Sequence, residues 1–472
     1  MFGMKIEDVK ESRDTVQIIT TGAIYIIKKS SLGEILCHQR LGTERRVAKL
    51  ILRTSLETLG VNYTDKESCF LHQTLPDLGI QIRINADSLL SIRTGRKLKV
   101  TYKANWLPEY SAFEKGNFIC IDSNGGIAAY PIVSHWMEAA QIPEVSKTFS
   151  KDGWQISIFL QENQTLLTSV FPPRPFDWEK SIKDRIVHYF YSALDTGEWN
   201  PYPSDKEIEK YSKQGNILVL HYWLQGFKTR TGQKIRSREE MIKEDAAWVS
   251  FLLKATDEKE LRRVLKRAHV LGMRVIPYMS PLTFPGEPQE FLKQMTSVLK
   301  EYEFDGVYFD GVASHILEAY AIMRGARKVL REKTLYVHVP SPIIGKCYKD
   351  GYYVYCPFID TYADYILRAE HIAATGEKTD FNRKYLRYTI SGYNISNTVG
   401  YICNYDYPPS ITQKLIPEAL QVHIRIPYWV GWDTYVRERK KAMGEKYYSL
   451  EESREIMREK YFPKLDALVK KK

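Results

Sequence analysis

The octapeptide FDGVYFDG, residues 304–311, decides how the rest of this chain is interpreted. Its small and apolar residues lie between two aspartates, a pattern typical of a short buried β-strand that ends in a carboxylate and a glycine. Enzymes built on (β/α) barrels hold their catalytic groups at the C-terminal ends of such strands. In the alternative interpretation, a turn follows the strand and Asp310 caps the next helix. The strands and helices predicted on either side distinguish the two.

The composition indicates a globular protein of two or three domains. The chain has 472 residues, of which 44% are hydrophobic and 26% are charged, and this length exceeds that of one ordinary domain. Its formal net charge is +11, which is compatible with an anionic partner. However, basic residues are interleaved with acidic ones, as in residues 236–240, so we expect no nucleic-acid partner.

The six cysteines form no Cys-x-x-Cys pair and show no spacing typical of metal ligands. We therefore expect no metal and no other cofactor. Residues 1–14 lack the apolar core of a signal peptide, and no stretch is long and apolar enough to span a membrane. These features favour a cytoplasmic protein that does not associate with membranes.

Short β-like runs fill the chain from about residue 15 to residue 170, which predicts a β-sandwich domain over residues 1–175. The clearest runs span residues 16–20, 23–27, 33–37, 46–52, 80–84, 98–102, 118–121 and 155–160. The sequence DSNGG, residues 122–126, predicts a hairpin turn or a loop. Three prolines in residues 172–175 resist both helix and central strand, so we place a domain boundary there.

After this boundary, strands and helices alternate, which predicts a parallel sheet. Strands are predicted at residues 185–192, 216–223, 274–279, 304–311 and 334–339, and helices at 256–271, 289–302 and 315–330. Weaker patterns indicate strands at 361–370, within 388–404 and near 422–429, although residues 411–426 could equally be helical. Eight such units form a TIM-type barrel, which we place at residues 176–440, followed by a C-terminal helix in residues 441–472.

Alternation along the predicted strands sorts side chains onto two faces. In the fourth strand, Val307 and Phe309 suit the face that packs on helices, so Tyr308 and Asp310 point into the barrel. Asp305 lies on the other face at the opposite end, roughly 16 Å from Asp310. The two aspartates therefore cannot form a catalytic pair, and we expect Asp305 to be structural.

The same sorting predicts a polar crevice at the C-terminal ends of the strands. Besides Asp310, its expected members are His221, Trp223, Tyr278, His338, Arg368 and Glu370.

Two carboxylates in an aromatic-lined crevice are suited to glycoside hydrolysis. One carboxylate attacks the anomeric carbon or activates water, and the other protonates the leaving oxygen. Two other arrangements remain open. Arg368 and Glu370 could form an ion pair, or His221, His338 and Asp310 could bind a metal.

On these features, the chain resembles glycoside hydrolases in which a β-sandwich precedes a barrel, including the α-galactosidase-like and endo-α-N-acetylgalactosaminidase-like groups. In the α-galactosidase-like clan the nucleophilic aspartate ends the fourth strand and the acid/base residue ends the sixth. The sequence GVYFDG, residues 306–311, resembles the first position, and Glu370 matches the second by position. The layout is also similar to glycoside hydrolase 123-like proteins, which use an adjacent Asp-Glu pair and the acetamido group of the substrate. This chain departs from that pair, because Gly311 follows Asp310.

The resemblance implies a retaining glycoside hydrolase that acts on an oligosaccharide or a glycoconjugate. Asp310 would be the nucleophile and Glu370 the general acid/base. The residues expected to shape the sugar subsite are His221, Trp223, Tyr278, His338 and Arg368. The alternatives are a barrel protein that binds carbohydrate without cleaving it and a metal-dependent barrel hydrolase.

Overall fold

A computed structural model of the chain describes residues 4–30, 32–63, 66–73, 79–114, 116–132, 143–175, 182–190, 202–221, 223, 253–284, 286–312, 316–338, 357–369, 396–399, 408–421, 426–431 and 433–470. The chain divides into two compact units, one formed mainly by residues 1–176 and the other by most of the residues that follow. None of the helices in the described ranges is both long and apolar enough to cross a membrane.

The first unit contains two antiparallel sheets, each of eight strands in the part of the chain that the structure describes. The strands are β1 Ile6–Glu11, β2 Thr15–Thr20, β3 Ala23–Lys28, β4 Glu34–Gln39, β5 Arg45–Ile51, β6 Gly60–Tyr63, β7 Ser68–His72, β8 Ile80–Asn85, β9 Leu90–Thr94, β10 Leu98–Ala104, β11 Tyr110–Glu114, β12 Asn117–Asp122, β13 Gly125–Ile132, β14 Glu144–Ser150, β15 Gly153–Leu160 and β16 Thr165–Phe171. One sheet has the order β1-β2-β3-β4-β5-β10-β15-β14, and the other β11-β12-β13-β16-β9-β8-β7-β6.

Alternating apolar residues explain the strands that bury a single face, whereas β12, β13 and β16 are buried on both faces. In β2 and β3 every second residue is buried, which is the period of a strand. Residues from both sheets, such as Tyr25 and Ile82, belong to one hydrophobic core. Each run predicted from the sequence overlaps an observed strand.

The predicted hairpin turn at residues 122–126 is confirmed. Asp122 pairs with Gly125 across a two-residue loop, and its carboxylate accepts hydrogen bonds from the N–H groups of Asn124 and Gly125 at 2.8 and 3.2 Å. Arg45 of the other sheet donates to both carboxylate oxygens, at 2.8 and 2.7 Å. This bidentate ion pair links the two sheets.

The second unit contains a parallel sheet, of eight strands among the described residues. These are β17 Ile186–Tyr189, β18 Ile217–Leu220, β19 Arg274–Met279, β20 Gly306–Asp310, β21 Thr334–His338, β22 Tyr365–Ala369, β23 Ser396–Val399 and β24 Tyr428–Val430. Neighbours follow chain order from β17 to β23, and β24 pairs with β17. The last strand therefore lies beside the first, as in a barrel.

Helices connect the parallel strands, because parallel neighbours need a crossover. Further helices follow the last strand. The described helices are α1 Asp205–Ser212, α2 Glu258–Val270, α3 Pro288–Glu301, α4 Ile316–Leu330, α5 Pro357–Tyr362, α6 Pro409–Gln421, α7 Asp433–Ala442, α8 Leu450–Ile456 and α9 Phe462–Lys470. A 3-10 turn spans Pro281–Thr283, and a π-helical segment, Met457–Tyr461, joins α8 to α9.

Helix α2, predicted at residues 256–271, spans Glu258–Val270 with Asp257 as its N-cap. The Asp257 side chain accepts a hydrogen bond from the N–H of Glu260 at 3.0 Å, and Gly272 follows the helix with a left-handed φ of +74°. The Asp257 N–H donates to the Tyr202 hydroxyl at 3.3 Å, in place of the return bond of a full capping box. The Glu260 carboxylate pairs instead with Arg263 at 2.9 Å.

The predictions for the last strands need correction. Residues 357–362 form α5, so the sixth strand begins at Tyr365 and not at 361. The guanidinium of Arg327 in α4 donates two hydrogen bonds to the Tyr362 carbonyl, at 2.9 and 2.6 Å, and so caps α5 by a tertiary contact. Helix α6 shows that residues 411–421 are helical, residues 422–425 lie outside the described residues, and the eighth strand spans 428–430.

Candidate active site

Asp310 lies at the C-terminal end of β20, and the residues before it alternate as predicted. Phe309 packs outward on Phe291 of α3, with ring centroids 5.5 Å apart. Tyr308 lies instead among inward-facing rings, 4.7 Å from that of Tyr336. The Asp310 side chain is 30% exposed, so a ligand can reach it at the end of the sheet where barrel enzymes bind their substrates.

Two glycines shape the strand that carries Asp310. A Cβ at Gly306 would lie 2.0 Å from the carbonyl oxygen of Thr334, so the absence of a side chain allows β20 and β21 to approach closely. Gly311 has a left-handed φ of +77°, and its N–H donates to the His338 carbonyl at 3.0 Å. The backbone therefore turns directly after Asp310 and leaves its carboxylate at the end of the strand.

Both carboxylate oxygens of Asp310 have hydrogen-bond partners with buried side chains. The Tyr278 hydroxyl donates to Oδ2 at 3.0 Å, and Nδ1 of His338 lies 2.7 Å from Oδ1. Ser280 adds a hydrogen bond from its Oγ to the Asp310 carbonyl at 2.8 Å. We call Asp310, Tyr278 and His338 the Asp310 clamp. Hydrogen bonds on both oxygens fix the orientation of a carboxylate.

Buried rings form a layer next to the Asp310 clamp. This ring layer comprises His188, Phe190, His221, Tyr308, Tyr336 and Trp429, each at most 6% exposed. His188 stacks on Trp429 with centroids 4.6 Å apart, and Phe190 stacks on His221 at 3.9 Å. Nδ1 of His188 lies 2.9 Å from Nε2 of His221, and Nε2 of His188 lies 3.2 Å from the Tyr336 hydroxyl.

Burial keeps both histidines of the ring layer neutral. It lowers the pKa of His188 well below its ordinary value, and His338 lowers that pKa further. The pKa of His221 is lowered in the same way by burial, then by His188 and His338. At neutral pH this pair therefore adds no positive charge to the surroundings of Asp310.

Trp223 is buried between the segment that leads into β20 and the backbone of another predicted site residue, Tyr278. Its ring is fully buried and lies 5.1 Å from Phe304 and 6.3 Å from Tyr302, the residues that lead from α3 into β20. Its indole N–H donates to the Tyr278 carbonyl at 2.9 Å. Because β18 ends at Leu220, strand alternation no longer determines which way Trp223 points.

The predicted partner of Asp310 lies beyond what the structure describes. Glu370 is outside the described residues, and Arg368 lies in β22 but its side chain is not described. The pairing of β22 with β23 is irregular between Leu367 and Ala369. A bulge redirects side chains, so simple alternation is a weak guide to residues 368–370.

The structure places Asp305 in the scaffold, as the sequence indicates. Its carboxylate accepts from the Val275 N–H at 2.7 Å and lies 2.9 Å from Nε2 of His269 on α2. These bonds fasten the start of β20 to β19 and α2, at the end of the strand opposite Asp310.

Asp184, which precedes β17, belongs to a second polar group at the N-terminal ends of the strands. It pairs with Arg274 and accepts hydrogen bonds from Asn216 and Tyr365. Burial alone would raise the pKa of Asp184, but the Arg274 charge and these hydrogen bonds hold it below the ordinary value. This network ties four strands together away from the candidate site.

A metal site has no support among the described side chains. In the described ranges, no group of three or more His, Cys, Asp or Glu is placed to hold a metal ion. Among the three residues considered as ligands, His338 bonds to Asp310, whereas His221 bonds to His188.

Sequence reasoning missed His188, Phe190 and Trp429. The first two lie two residues apart at the end of β17 and just after it, so the alternation used for β20 would have placed them on one face. The pairing of β24 with β17 then brings Trp429 level with His188.

Comparison with known proteins shows only distant structural likeness. The sequence matches no protein-family model and no curated protein. A noncanonic maltogenic α-amylase from Thermotoga neapolitana is 13% identical, with a TM-score of 0.35 over 54% of this chain and 69% of its own. A family 31 α-xylosidase from a soil metagenome is 8% identical, with a TM-score of 0.37 over 90% and 77%. A family 97 glycoside hydrolase from a Pseudoalteromonas species is 9% identical, with a TM-score of 0.38 over 90% and 81%. These values are too low to carry an argument about this chain.

Proposed function

We propose that the second unit is a retaining glycoside hydrolase in which Asp310 is the nucleophile. The observation that carries this proposal is the Asp310 clamp: a partly exposed carboxylate at a strand end, oriented by Tyr278 and His338. An attacking carboxylate has to be held in one orientation while remaining open to substrate. A carboxylate that merely capped the next helix would need neither feature.

The proposed reaction uses two carboxyl groups in two steps. Asp310 attacks the anomeric carbon and forms a covalent ester, while Glu370 gives its proton to the leaving oxygen as the glycosidic bond breaks. Glu370 then takes a proton from water, which attacks the anomeric carbon and releases the sugar and the Asp310 carboxylate. The hydrogen bonds to Oδ1 and Oδ2 hold the carboxylate in line with its target.

The remaining assignments belong to the same proposal. The fold is a β-sandwich over residues 1–175 and a (β/α)8 barrel over 176–440, with a C-terminal helical segment over 441–472. The substrate is an oligosaccharide or glycoconjugate, contacted by Asp310 and Arg368, with the buried Tyr278, His338 and His221 forming the wall behind them. The described cysteines, Cys37, Cys69 and Cys120, are buried and unpaired, which accords with a cytoplasmic location.

Replacing the nucleophile tests the proposal directly. We expect Asp310→Asn to lower kcat by at least about 10³-fold, because an amide cannot form the glycosyl ester. In Asp310→Ala, added azide should restore cleavage, because a small anion can replace the missing carboxylate. Initial rates on a panel of aryl glycosides, with product configuration by NMR, provide the measurement.

Asp305→Asn is the matched control, since it makes the same chemical change at the opposite end of β20. It should lower stability but leave kcat of the folded protein intact. An Asp310→Asn enzyme as active as the wild type would refute the assignment. Binding of glycans by a wild-type protein that cleaves none of them would identify a carbohydrate-binding barrel instead.

A further inference from the structure

We propose that His188 is a positioning residue for Asp310. Its imidazole contacts two series of side chains, one leading to each oxygen of the Asp310 carboxylate, and we call these series the two arms. This inference rests on the proposed function, in which the orientation of Asp310 determines the rate. It concerns a side chain that touches neither Asp310 nor substrate and acts through its neighbours.

The first arm runs from Nδ1 of His188 to Oδ2 of Asp310. Nδ1 lies 2.9 Å from Nε2 of His221, and the His221 ring lies 5.3 Å from the ring of Tyr278. The Tyr278 hydroxyl then donates to Oδ2 at 3.0 Å. The tilt of Tyr278, and so the direction of its hydroxyl, depends on where His221 is held.

The second arm runs from Nε2 of His188 to Oδ1 of Asp310. Nε2 lies 3.2 Å from the Tyr336 hydroxyl, and Tyr336 precedes His338 by two residues on the same face of β21. Nδ1 of His338 lies 2.7 Å from Oδ1. The edge of His188 also meets Tyr308, two residues before Asp310, with centroids 5.2 Å apart and planes at 90°.

The protonation of His188 suits this bridging role. A neutral imidazole has one N–H donor and one acceptor nitrogen, so one arm receives a hydrogen bond from His188 and the other supplies one to it. Burial keeps the ring neutral, and its stacking on Trp429 at 4.6 Å fixes the ring plane. Both arms are thus set by a single rigid group within a close-packed layer.

Substitutions at His188 can remove the hydrogen bonds of Nδ1 and Nε2 together or one at a time. His188→Phe keeps a ring but removes both hydrogen bonds, His188→Asn can replace Nδ1, and His188→Gln can replace Nε2. We expect His188→Phe to lower kcat by about 10–100-fold with KM changed less than about twofold, and the two amides to have intermediate effects. Tyr189→Phe is the matched control, because Tyr189 lies on the opposite face of β17 against Tyr211.

A second measurement follows the contact between His338 and Asp310 without using enzymatic activity. In protein labelled with ¹⁵N in its ten histidines, the Nδ1 signal of His338 reports its contact with Asp310. His188→Phe should shift this signal, and Tyr189→Phe should leave both kcat and the signal unchanged.

The outcomes separate this inference from the proposed function. A folded His188→Phe protein with wild-type kcat and an unmoved His338 signal would overturn the inference. If wild-type protein cleaves no glycoside, the proposed function fails, and the His338 signal alone decides whether His188 positions the clamp. If His188→Phe does not fold, the Asn and Gln variants decide, since wild-type values in both would contradict the bridge.

Discussion

The carboxylate of Asp310 is accessible to solvent and is also held in one orientation. It is exposed enough to meet a ligand, yet both of its oxygens are hydrogen bonded to side chains that are almost fully buried. Tyr278 and His338 lose little conformational freedom in making these bonds, because their rings are already packed. Their hydrogen bonds therefore orient the carboxylate at small entropic cost.

Removing the Tyr278 hydroxyl should show how much this orientation contributes. Tyr278→Phe keeps the packed ring but deletes the bond to Oδ2. A hydrogen bond to a charged group contributes about 1.5–3 kcal/mol, so we expect kcat to fall by about 10–100-fold with KM nearly unchanged. Steady-state kinetics on the best aryl glycoside measures both constants. Turnover within twofold of wild type would mean that the orientation of Oδ2 does not limit the reaction.

Strand β20 and the turn after it present Asp310 to solvent. The 3-10 turn at Pro281–Thr283 packs against this turn, since a Cβ at Gly311 would lie 2.6 Å from Cδ2 and 2.8 Å from Cβ of Leu282. Gly311 also has a left-handed φ of +77°, which disfavours every other residue type. Glycine is thus required at this position both for its φ and for its lack of a side chain.

A pair of glycine substitutions separates these two requirements. Gly272, after α2, has a similar φ of +74°, but a Cβ there would have no neighbour within 4 Å among the described residues outside its own helix end. We expect Gly272→Ala to lower the free energy of unfolding by about 1–2 kcal/mol through backbone strain alone. Gly311→Ala should lower it further and should also reduce kcat, because Leu282 or Asp310 has to move. Urea denaturation measures both free energies, and equal losses in the two variants would contradict a steric role for Leu282.

Within the second unit, polar groups occupy both ends of the parallel sheet, and the neutral histidines lie towards the end that carries Asp310. The Asp184 network joins strand starts. His188 and His221 instead contact Tyr308, Tyr336 and Trp429 in the ring layer, and His221 also contacts Tyr278 of the Asp310 clamp. Both histidines have a pKa well below the ordinary value because they are buried. An unfolded chain exposes them and restores that ordinary value.

Stability should therefore fall as the pH drops below about 6.5. In this range the unfolded chain binds protons that the folded protein does not, so the free energy of unfolding decreases by up to about 1.4 kcal/mol per pH unit for each histidine. Urea denaturation from pH 7.5 to pH 5 measures the slope. His38, whose pKa is also lowered by burial and then by Arg46, adds to it.

His188→Gln isolates one contribution, because it removes a single titrating group of the ring layer. Below pH 6.5, the slope of its unfolding free energy against pH should be smaller than that of the wild type. The difference should correspond to the binding of about one proton fewer on unfolding. Parallel slopes for the two proteins would mean that His188 is not held neutral in the folded state.

Much of the fold follows from local patterns. Alternating and 3.6-residue periods predicted eight of the sixteen described strands of the first unit, the early strands and helices of the second, and the inward direction of Tyr308 and Asp310. The later strands were harder, because α5 depends on Arg327, a residue of another helix. Strand alternation does not set the direction of Trp223, because β18 ends before it.

The sequence by itself determined that Asp310 ends a buried strand and that Asp305 faces the scaffold, because side-chain direction in a strand is a local property with a period of two. Only the tertiary structure decided what surrounds Asp310. The contacts of Asp310 with Tyr278 and His338 join residues 32 and 28 positions apart, and that of His188 with Tyr336 joins residues 148 apart. Such pairings depend on strand order and register, which no local period specifies.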